Sequence, residues 1–134
     1  DISDLSKSGV MPTLLPSCSF FLGIPYAPTR NLINKGLPIA LATDFNPGST
    51  PSGNMNFVLS LACIHYKLTP EEAINAATIN AAYAMGLENT HGSITIGKKA
   101  TIFITKEVPN IAFLPYYFGS NQIEQVIING KLIK

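Results

Sequence analysis

Asp44 occupies a position where an acidic side chain can do chemistry. It follows the apolar run 38–43 and precedes the segment 45–53, which consists almost entirely of turn-forming residues. The carboxyl ends of buried strands are where α/β enzymes hold catalytic or metal-binding carboxylates. A single acid at such a point also serves as a simple cap. The residue pattern alone therefore allows both roles.

The turn after Asp44 contains three residues suited to ligand binding. Asn46 offers an amide and Ser49 a hydroxyl, and both groups make directional hydrogen bonds. Gly48 has no side chain, so backbone N–H groups can approach a bound carboxylate there. Because Asn, Pro and Gly also form ordinary turns, these residues on their own favour a turn over a binding site.

The elements around these residues alternate between strand and helix. Short apolar runs predict buried strands at 10–15 and 38–43, with a short helix at 28–35 between them. Strands without polar alternation are typical of parallel sheets covered on both faces. The first part of the chain therefore predicts an α/β fold with a β-α-β unit of a parallel sheet or barrel. Residues 1–9 look like the last turns of a helix, so we expect the chain to continue upstream.

Two helices are predicted in the middle of the chain. Apolar residues recur with helical spacing over 55–67. Thr69, Pro70 and Glu72 then form a start signal with an N-cap hydroxyl, a proline in the first turn and a glutamate at the third position. The alanine-rich sequence that follows predicts one continuous helix that ends at Gly86.

Short strands are predicted in the last part of the chain. Asn129 and Gly130 form a typical hairpin turn between two apolar runs. The apolar residues of these strands lie within the ranges 94–96, 100–104, 123–128 and 132–133.

Composition limits the partners that the chain can bind. The 134 residues carry a formal net charge of +1 and only 13% are charged, so no basic surface for nucleic acid is expected. No segment reaches the ~18 apolar residues of a membrane span. Cys18 and Cys63 lack metal-site spacing and are expected to be reduced, as in the cytoplasm. The low charge indicates a surface covered by another part of a longer chain or by a second subunit, as in a homodimer.

Five segments resemble the carboxyl-terminal part of the metal-dependent amidohydrolases. They are residues 40–49, 68–73, 76–82, 92–100 and 126–131. Within that superfamily, Leu14-Leu15-Pro16 and the turn from Thr43 to Gly48 are most similar to one family of cyclic-amide hydrolases. Its members hydrolyse 4-imidazolone-5-propanoate to N-formimidoyl-L-glutamate in histidine degradation.

The resemblance implies a (β/α)8 barrel with a small β-sandwich assembled from both ends of a longer chain. Residues 1–90 would form the last part of the barrel, with strands seven and eight at 10–15 and 38–43. Residues 91–134 would form the carboxyl-terminal half of the sandwich. The earlier barrel strands would belong to an upstream portion of the same enzyme, which is therefore an expected partner.

The resemblance also implies roles for the residues of the turn. Asp44 would bind one transition metal, zinc or iron, and would pass the proton of the attacking water to the leaving nitrogen. Asn46, Gly48 and Ser49 match positions that contact the small-molecule substrate in the family. The histidine ligands and the catalytic glutamate of the family lie on earlier strands, outside these 134 residues. We therefore expect the isolated chain to be inactive.

Two other functions stay open on the sequence. A different amidohydrolase, such as a deaminase or another cyclic-amide hydrolase, would share Asp44 but have another pocket, although the pair Asn46 and Gly48 argues against a deaminase. A non-catalytic module would instead bind a partner through its exposed barrel edge. His65 and His91 have no partner at ligand spacing and are not expected to replace the missing ligands.

Overall fold

Two small sheets, one parallel and one antiparallel, organise residues 2–133, the part of the chain that the computed structural model describes. The helices in this range are α1 Ile2–Lys7, α2 Pro16–Leu22, α3 Thr29–Asn34, α4 Met55–His65, α5 Pro70–Ala77, α6 Ile79–Ala84 and α7 Phe113–Tyr116. The strands are β1 Thr13–Leu14, β2 Ala40–Leu41, β3 Ile102–Thr105, β4 Ile123–Ile128 and β5 Lys131–Leu132. This mixture of helices and strands agrees with the α/β fold predicted from the sequence.

Strands β1 and β2 form the parallel pair that the sequence predicts. Thr13 lies opposite Ala40, and Leu14 lies opposite Leu41. The Ala42 N–H extends the pairing by donating to the Leu14 carbonyl at 3.2 Å. Both strands are shorter than the predicted runs, because the outer residues of each run have no paired strand within the described chain.

A helix that was not predicted from the sequence, α2, follows β1. It begins with Pro16 and is followed by Gly23 in a left-handed conformation, with φ of 64°. A proline in the first turn and a glycine after the last are both helix-end signals. Phe20, Phe21 and Leu22 of this helix are exposed, so α2 leaves apolar surface uncovered in these residues.

One apolar core joins the parallel pair to the helices α3, α4 and α5. Val58 and Ala62 of α4 and Ala73 of α5 are completely buried, and their small side chains allow the helices to approach closely. Asn80 adds a polar link, because its Nδ2 donates to the Ile39 carbonyl at 2.8 Å. The core therefore fixes β2, the strand from which the Asp44 turn extends.

The prediction of one continuous helix from the Thr69-Pro70 start signal to Gly86 is wrong, because the structure has two helices there. The chain breaks at Thr78, whose φ and ψ are −123° and −83°, and this residue separates α5 from α6. The Thr78 hydroxyl donates to the Ile74 carbonyl at 2.7 Å, a side-chain bond that competes with regular helix bonding. The break sends α6 towards β2, where Asn80 bonds to Ile39.

The antiparallel sheet has the order β3, β4, β5. Its hairpin turn is the predicted one, with positive φ at Asn129 (50°) and Gly130 (78°). The strand expected at 94–96 is wrong: these residues lie outside the strands, and Ile94 and Ile96 are 90% and 104% exposed. A strand needs a neighbour to pair with, and the described chain supplies none there.

Helix α4 connects the two regions. The Ser60 hydroxyl donates to the carbonyl of Pro115 in α7. The rings of Phe57 and Phe118 lie 5.6 Å apart. Among the helices of residues 2–133, none has both the length and the apolar character that a membrane span would need.

Candidate functional site

Asp44 lies just beyond the end of β2, at the carboxyl edge of the parallel pair. Its backbone φ is 55°, in the left-handed region. Residues other than glycine rarely adopt this region, which costs about 1–2 kcal/mol, although Asp and Asn tolerate it better than most. Strained backbone of this kind is concentrated at functional sites, so Asp44 is the leading candidate residue.

The Asn46 side chain uses its whole hydrogen-bonding capacity inside the loop. Its Oδ1 accepts from the N–H groups of Gly48 and Ser49 at 2.9 and 2.8 Å. Its Nδ2 donates to the Asp44 carbonyl at 2.6 Å and to Ser49 Oγ at 3.0 Å. Two lone pairs and two hydrogens are all that an amide offers. A flipped amide would set its NH2 against backbone N–H groups, so the orientation is determined.

Ser49 connects this amide to the Asp44 carboxylate. Its Oγ lies 3.2 Å from Asp44 Oδ2 and also 3.2 Å from Asn46 Oδ1. A hydroxyl has a single hydrogen, and both lone pairs of Asn46 Oδ1 are already occupied. The Ser49 hydroxyl therefore donates to Asp44 Oδ2 and accepts from Asn46 Nδ2.

The second oxygen of the Asp44 carboxylate is available. Within residues 2–133, no donor forms a hydrogen bond to Asp44 Oδ1. The residue is partly buried. A carboxylate with one oxygen held by a hydroxyl and the other open can take a proton, accept a hydrogen bond or bind a cation.

The loop closes on a buried residue. The Asn46 N–H donates to the Thr50 carbonyl at 3.0 Å, and Thr50 is 2% exposed. The Thr50 hydroxyl is buried without a hydrogen-bond partner in the described chain, and so is that of Ser17, which follows β1. Buried hydroxyls normally have a hydrogen-bond partner. The edge that carries Asp44 therefore contains two hydroxyl groups whose hydrogen-bonding capacity is not used within the described residues.

The donor set offers one candidate metal ligand, Asp44, and within residues 2–133 it forms no complete metal centre. The described part of the chain contains no group of three or more His, Cys, Asp or Glu side chains that could hold a metal ion. His65 stacks on Tyr26 with ring centres 4.1 Å apart, and His91 Nδ1 lies 2.8 Å from Thr90 Oγ1. The open oxygen of Asp44 suits one position of a zinc or iron site. The other ligands would have to come from outside these residues.

Glu72 forms a second polar network, between α3 and α5. Both of its oxygens accept from the Arg30 guanidinium, with 3.1 Å between Oε1 and Nη1. Its Oε2 also accepts from the Thr69 N–H at 2.8 Å, which forms the predicted capping box with the 3.2 Å bond from the Glu72 N–H to the Thr69 hydroxyl. The bond to Arg30 lowers the pKa of the Glu72 carboxyl and raises the pKa of Arg30. Because both oxygens are occupied, Glu72 has a structural role.

The sequence matches the model of the "Amidohydrolase family" over residues 2–133. The chain belongs to the amidohydrolase family. It is 67% identical to the imidazolonepropionase of Christiangramia forsetii and 65% identical to that of Flavobacterium johnsoniae. Each match covers 99% of this amidohydrolase chain and 32% of the relative. The chain thus spans about a third of the length of these relatives.

Solved structures share the fold of this amidohydrolase chain. An adenosine deaminase from Xanthomonas campestris with bound zinc has a TM-score of 0.85 at 23% identity, over 98% of this chain and 33% of its own. A guanine deaminase from E. coli has a TM-score of 0.82 at 18% identity, over 99% of this chain and 36% of its own. At such identities the likeness concerns the fold and not the reaction.

The four residues predicted for the site, Asp44, Asn46, Gly48 and Ser49, lie together in one hydrogen-bonded loop. Their roles in binding metal and substrate stay predictions. The bonding inside the loop was not predicted from the sequence. An asparagine that precedes a glycine by two positions is an Asx-turn signal, and it could have indicated that the Asn46 amide is used by its own loop.

Proposed function

We propose that this chain is the carboxyl-terminal third of an imidazolonepropionase, which hydrolyses 4-imidazolone-5-propanoate to N-formimidoyl-L-glutamate in histidine degradation. The observation that carries the proposal is the 67% identity to an imidazolonepropionase over 99% of the chain. The Asp44 loop agrees with it, because a carboxylate with an open oxygen at a strand exit suits metal-assisted hydrolysis.

We further propose that β1 and β2 are strands seven and eight of a (β/α)8 barrel. Their parallel pairing supports this assignment, as do the TM-scores above 0.8 to 36% and 33% of the chains of two deaminases. Residues 1–90 would then belong to the barrel and residues 91–134 to a β-sandwich. The upstream portion of the enzyme would cover exposed apolar side chains such as those of α2.

Asp44 carries the chemistry that this chain contributes. A bound transition metal, zinc or iron, would supply a water whose pKa is lowered towards ~7. Asp44 would provide one ligand and would take a proton as the water oxygen bonds to the ring carbonyl carbon; it would return that proton to the ring nitrogen as the carbon–nitrogen bond breaks. Asn46, Gly48 and Ser49 are the proposed neighbours of the substrate. A direct contact by Asn46 would have to replace one of its bonds within the loop.

A chimera tests the proposed reaction. This chain would replace the matching third of the Christiangramia forsetii imidazolonepropionase, and the product would be assayed with 4-imidazolone-5-propanoate. We expect a folded, metal-containing chimera that turns over this substrate at a rate comparable with the unmodified relative. A chimera that folds and binds metal without opening the imidazolone ring would contradict the proposal.

Asp44→Asn in the chimera tests the ligand assignment. The amide has nearly the same shape and tolerates the left-handed backbone, but it carries no negative charge for a metal. We expect lower metal content together with loss of turnover. Normal metal content and normal turnover in this variant would rule out Asp44 as a ligand.

The isolated chain should lack hydrolase activity and bind metal weakly or not at all. One carboxylate cannot form a tight transition-metal site, and the described residues offer no cluster of three ligands. Calorimetric titration of the chain with zinc, and assay of the same sample, would check this. Turnover by the chain alone would overturn the expectation.

The two alternative functions have distinct outcomes in the same assays. A deaminase would release ammonia from an amino-substituted ring and leave the imidazolone untouched. A non-catalytic module would give a chimera with metal and no turnover of any ring amide. We also propose a cytoplasmic location, which the free thiols of Cys18 and Cys63 support.

A further inference from the structure

We propose that Ser49 and Asn46 are positioning residues that hold the Asp44 carboxylate for metal binding. This inference rests on the proposed function. Ser49 binds one carboxylate oxygen, Oδ2, and Asn46 holds Ser49. Asp44 can then present its other oxygen, Oδ1, to the metal in a fixed orientation.

The direction of the hydrogen bonds carries this assignment. Asn46 Oδ1 is saturated by two backbone N–H groups, so the Ser49 hydrogen is left for Asp44 Oδ2. The lone pair of Ser49 Oγ accepts from Asn46 Nδ2 at 3.0 Å. The result is a directed chain from the Asn46 amide through the Ser49 hydroxyl to the Asp44 carboxylate.

The same amide also holds the backbone of Asp44. Asn46 Nδ2 donates to the Asp44 carbonyl at 2.6 Å, next to the residue's left-handed φ of 55°. A strained conformation persists only where surrounding contacts determine it. Asn46 therefore restrains both the main chain of Asp44 and, through Ser49, its side chain.

Burial within the loop separates the positioning residues from its tip. Asn46 and Ser49 are partly buried, and the loop is anchored by the bond from the Asn46 N–H to Thr50. Phe45, in contrast, is 70% exposed, and Pro47 is also exposed. The Asn46 and Ser49 side chains are partly buried and bond within the loop, which is the arrangement expected of groups that support a neighbouring ligand.

The test measures metal affinity directly in the metal-free chimera, by titration against a chromophoric chelator. Removal of a group that orients a metal ligand typically lowers metal affinity about 10–100-fold. We expect a loss of this size in Ser49→Ala. Ser49→Val and Ser49→Thr form a pair of equal shape in which only the threonine keeps the hydroxyl. Ser49→Val should lose affinity and Ser49→Thr should retain most of it.

Metal affinity decides the outcome, and kinetics give a second measure. A fall in kcat together with the affinity loss in Ser49→Ala and Ser49→Val would support positioning, and a rise in KM would report the separate contact between Ser49 and substrate proposed above. Wild-type metal affinity in both variants would overturn the positioning role. This holds also if KM rises, because Ser49 would then contact only the substrate. Equal losses in Ser49→Val and Ser49→Thr would also overturn it, since shape and not the hydroxyl would then matter.

Asp44→Ala separates this inference from the proposed function. If Asp44→Ala keeps metal affinity, the ligand assignment itself fails. If Asp44→Ala loses affinity while Ser49→Ala and Ser49→Val keep it, only the positioning role fails. Thermal unfolding of each metal-free variant shows whether it is folded, and the pair Ser49→Val and Ser49→Thr replaces Ser49→Ala if that variant does not fold.

Discussion

The networks around Asp44 and Glu72 differ in how fully they use a carboxylate. Both oxygens of Glu72 are occupied by Arg30, and one of them also binds the Thr69 backbone. Asp44 has one oxygen bound by Ser49 and the other without a donor in the described residues. Glu72 also lies in a regular helix, whereas Asp44 has a left-handed backbone.

The difference separates a stabilising carboxylate from one available for chemistry. The hydrogen bonds of Glu72 cap the start of α5 and join α3 to α5. Both oxygens of its carboxylate therefore contribute to the fold. Asp44 has a backbone that costs free energy and an oxygen that the described fold does not use. Proteins retain such an arrangement where function requires it.

The largest expected effect is on turnover. In the chimera, Asp44→Ala should lower kcat by about 10²–10⁴-fold, the range for loss of a general acid or base. Glu72→Ala should leave kcat close to that of the unmodified chimera, because its network contacts no proposed site residue. Steady-state assays of both variants would check the contrast. Comparable losses of kcat in the two variants would contradict the assignment of chemistry to Asp44 and of a purely structural role to Glu72.

The second prediction concerns local stability. Glu72→Ala should weaken α5 by about 1 kcal/mol, because it removes half of the capping box and an ion pair that is partly exposed to solvent. Amide hydrogen exchange of α5 in the chimera measures this change. Glu71→Ala is the matched control, since Glu71 shares the first turn without the capping bonds. An equal effect of both substitutions would assign the stabilisation to charge near the helix start.

The third prediction uses the strain at Asp44. The free energy of unfolding should be about 1 kcal/mol higher for Asp44→Gly than for Asp44→Ala, because both variants lose the bond to Ser49 and only glycine adopts positive φ without the steric cost. Asp44→Ala should lower it, since alanine pays that cost without the side-chain bond. Thermal unfolding of the metal-free chimera compares the two. If glycine destabilises the protein as much as alanine does, the left-handed backbone is not the source of strain.

The smallest effect is a pH dependence at Glu72. Its pKa is lowered in the folded protein, mainly by the bond to Arg30. Its contribution is therefore complete above the unfolded value of about 4.3 and is lost as pH falls through the folded pKa. Glu72→Gln should be less stable than the parent at pH 7, by less than about 1 kcal/mol because the pair is exposed. The difference should shrink below about pH 4.3, as measured by unfolding midpoints.

Local signals in the sequence predicted many of the elements correctly. The Thr69 capping box and the Asn129-Gly130 hairpin depend on neighbouring residues, and both are present. The break at Thr78 was not predicted, because the alanine-rich sequence is helical on both sides of it. The strand expected around Ile94 and Ile96 was wrong, since alternating apolar residues form a strand only where a partner strand is available.

The sequence by itself determined which residues could form the site: an acid after a buried strand, followed by a turn with an amide and a hydroxyl. The tertiary structure alone decided how they are bonded. It gave Asp44 its left-handed backbone, directed the Ser49 hydrogen to one carboxylate oxygen and left the other open. The physical reason is that residue types fix the available donors and acceptors, whereas packing and chain geometry determine which of them meet.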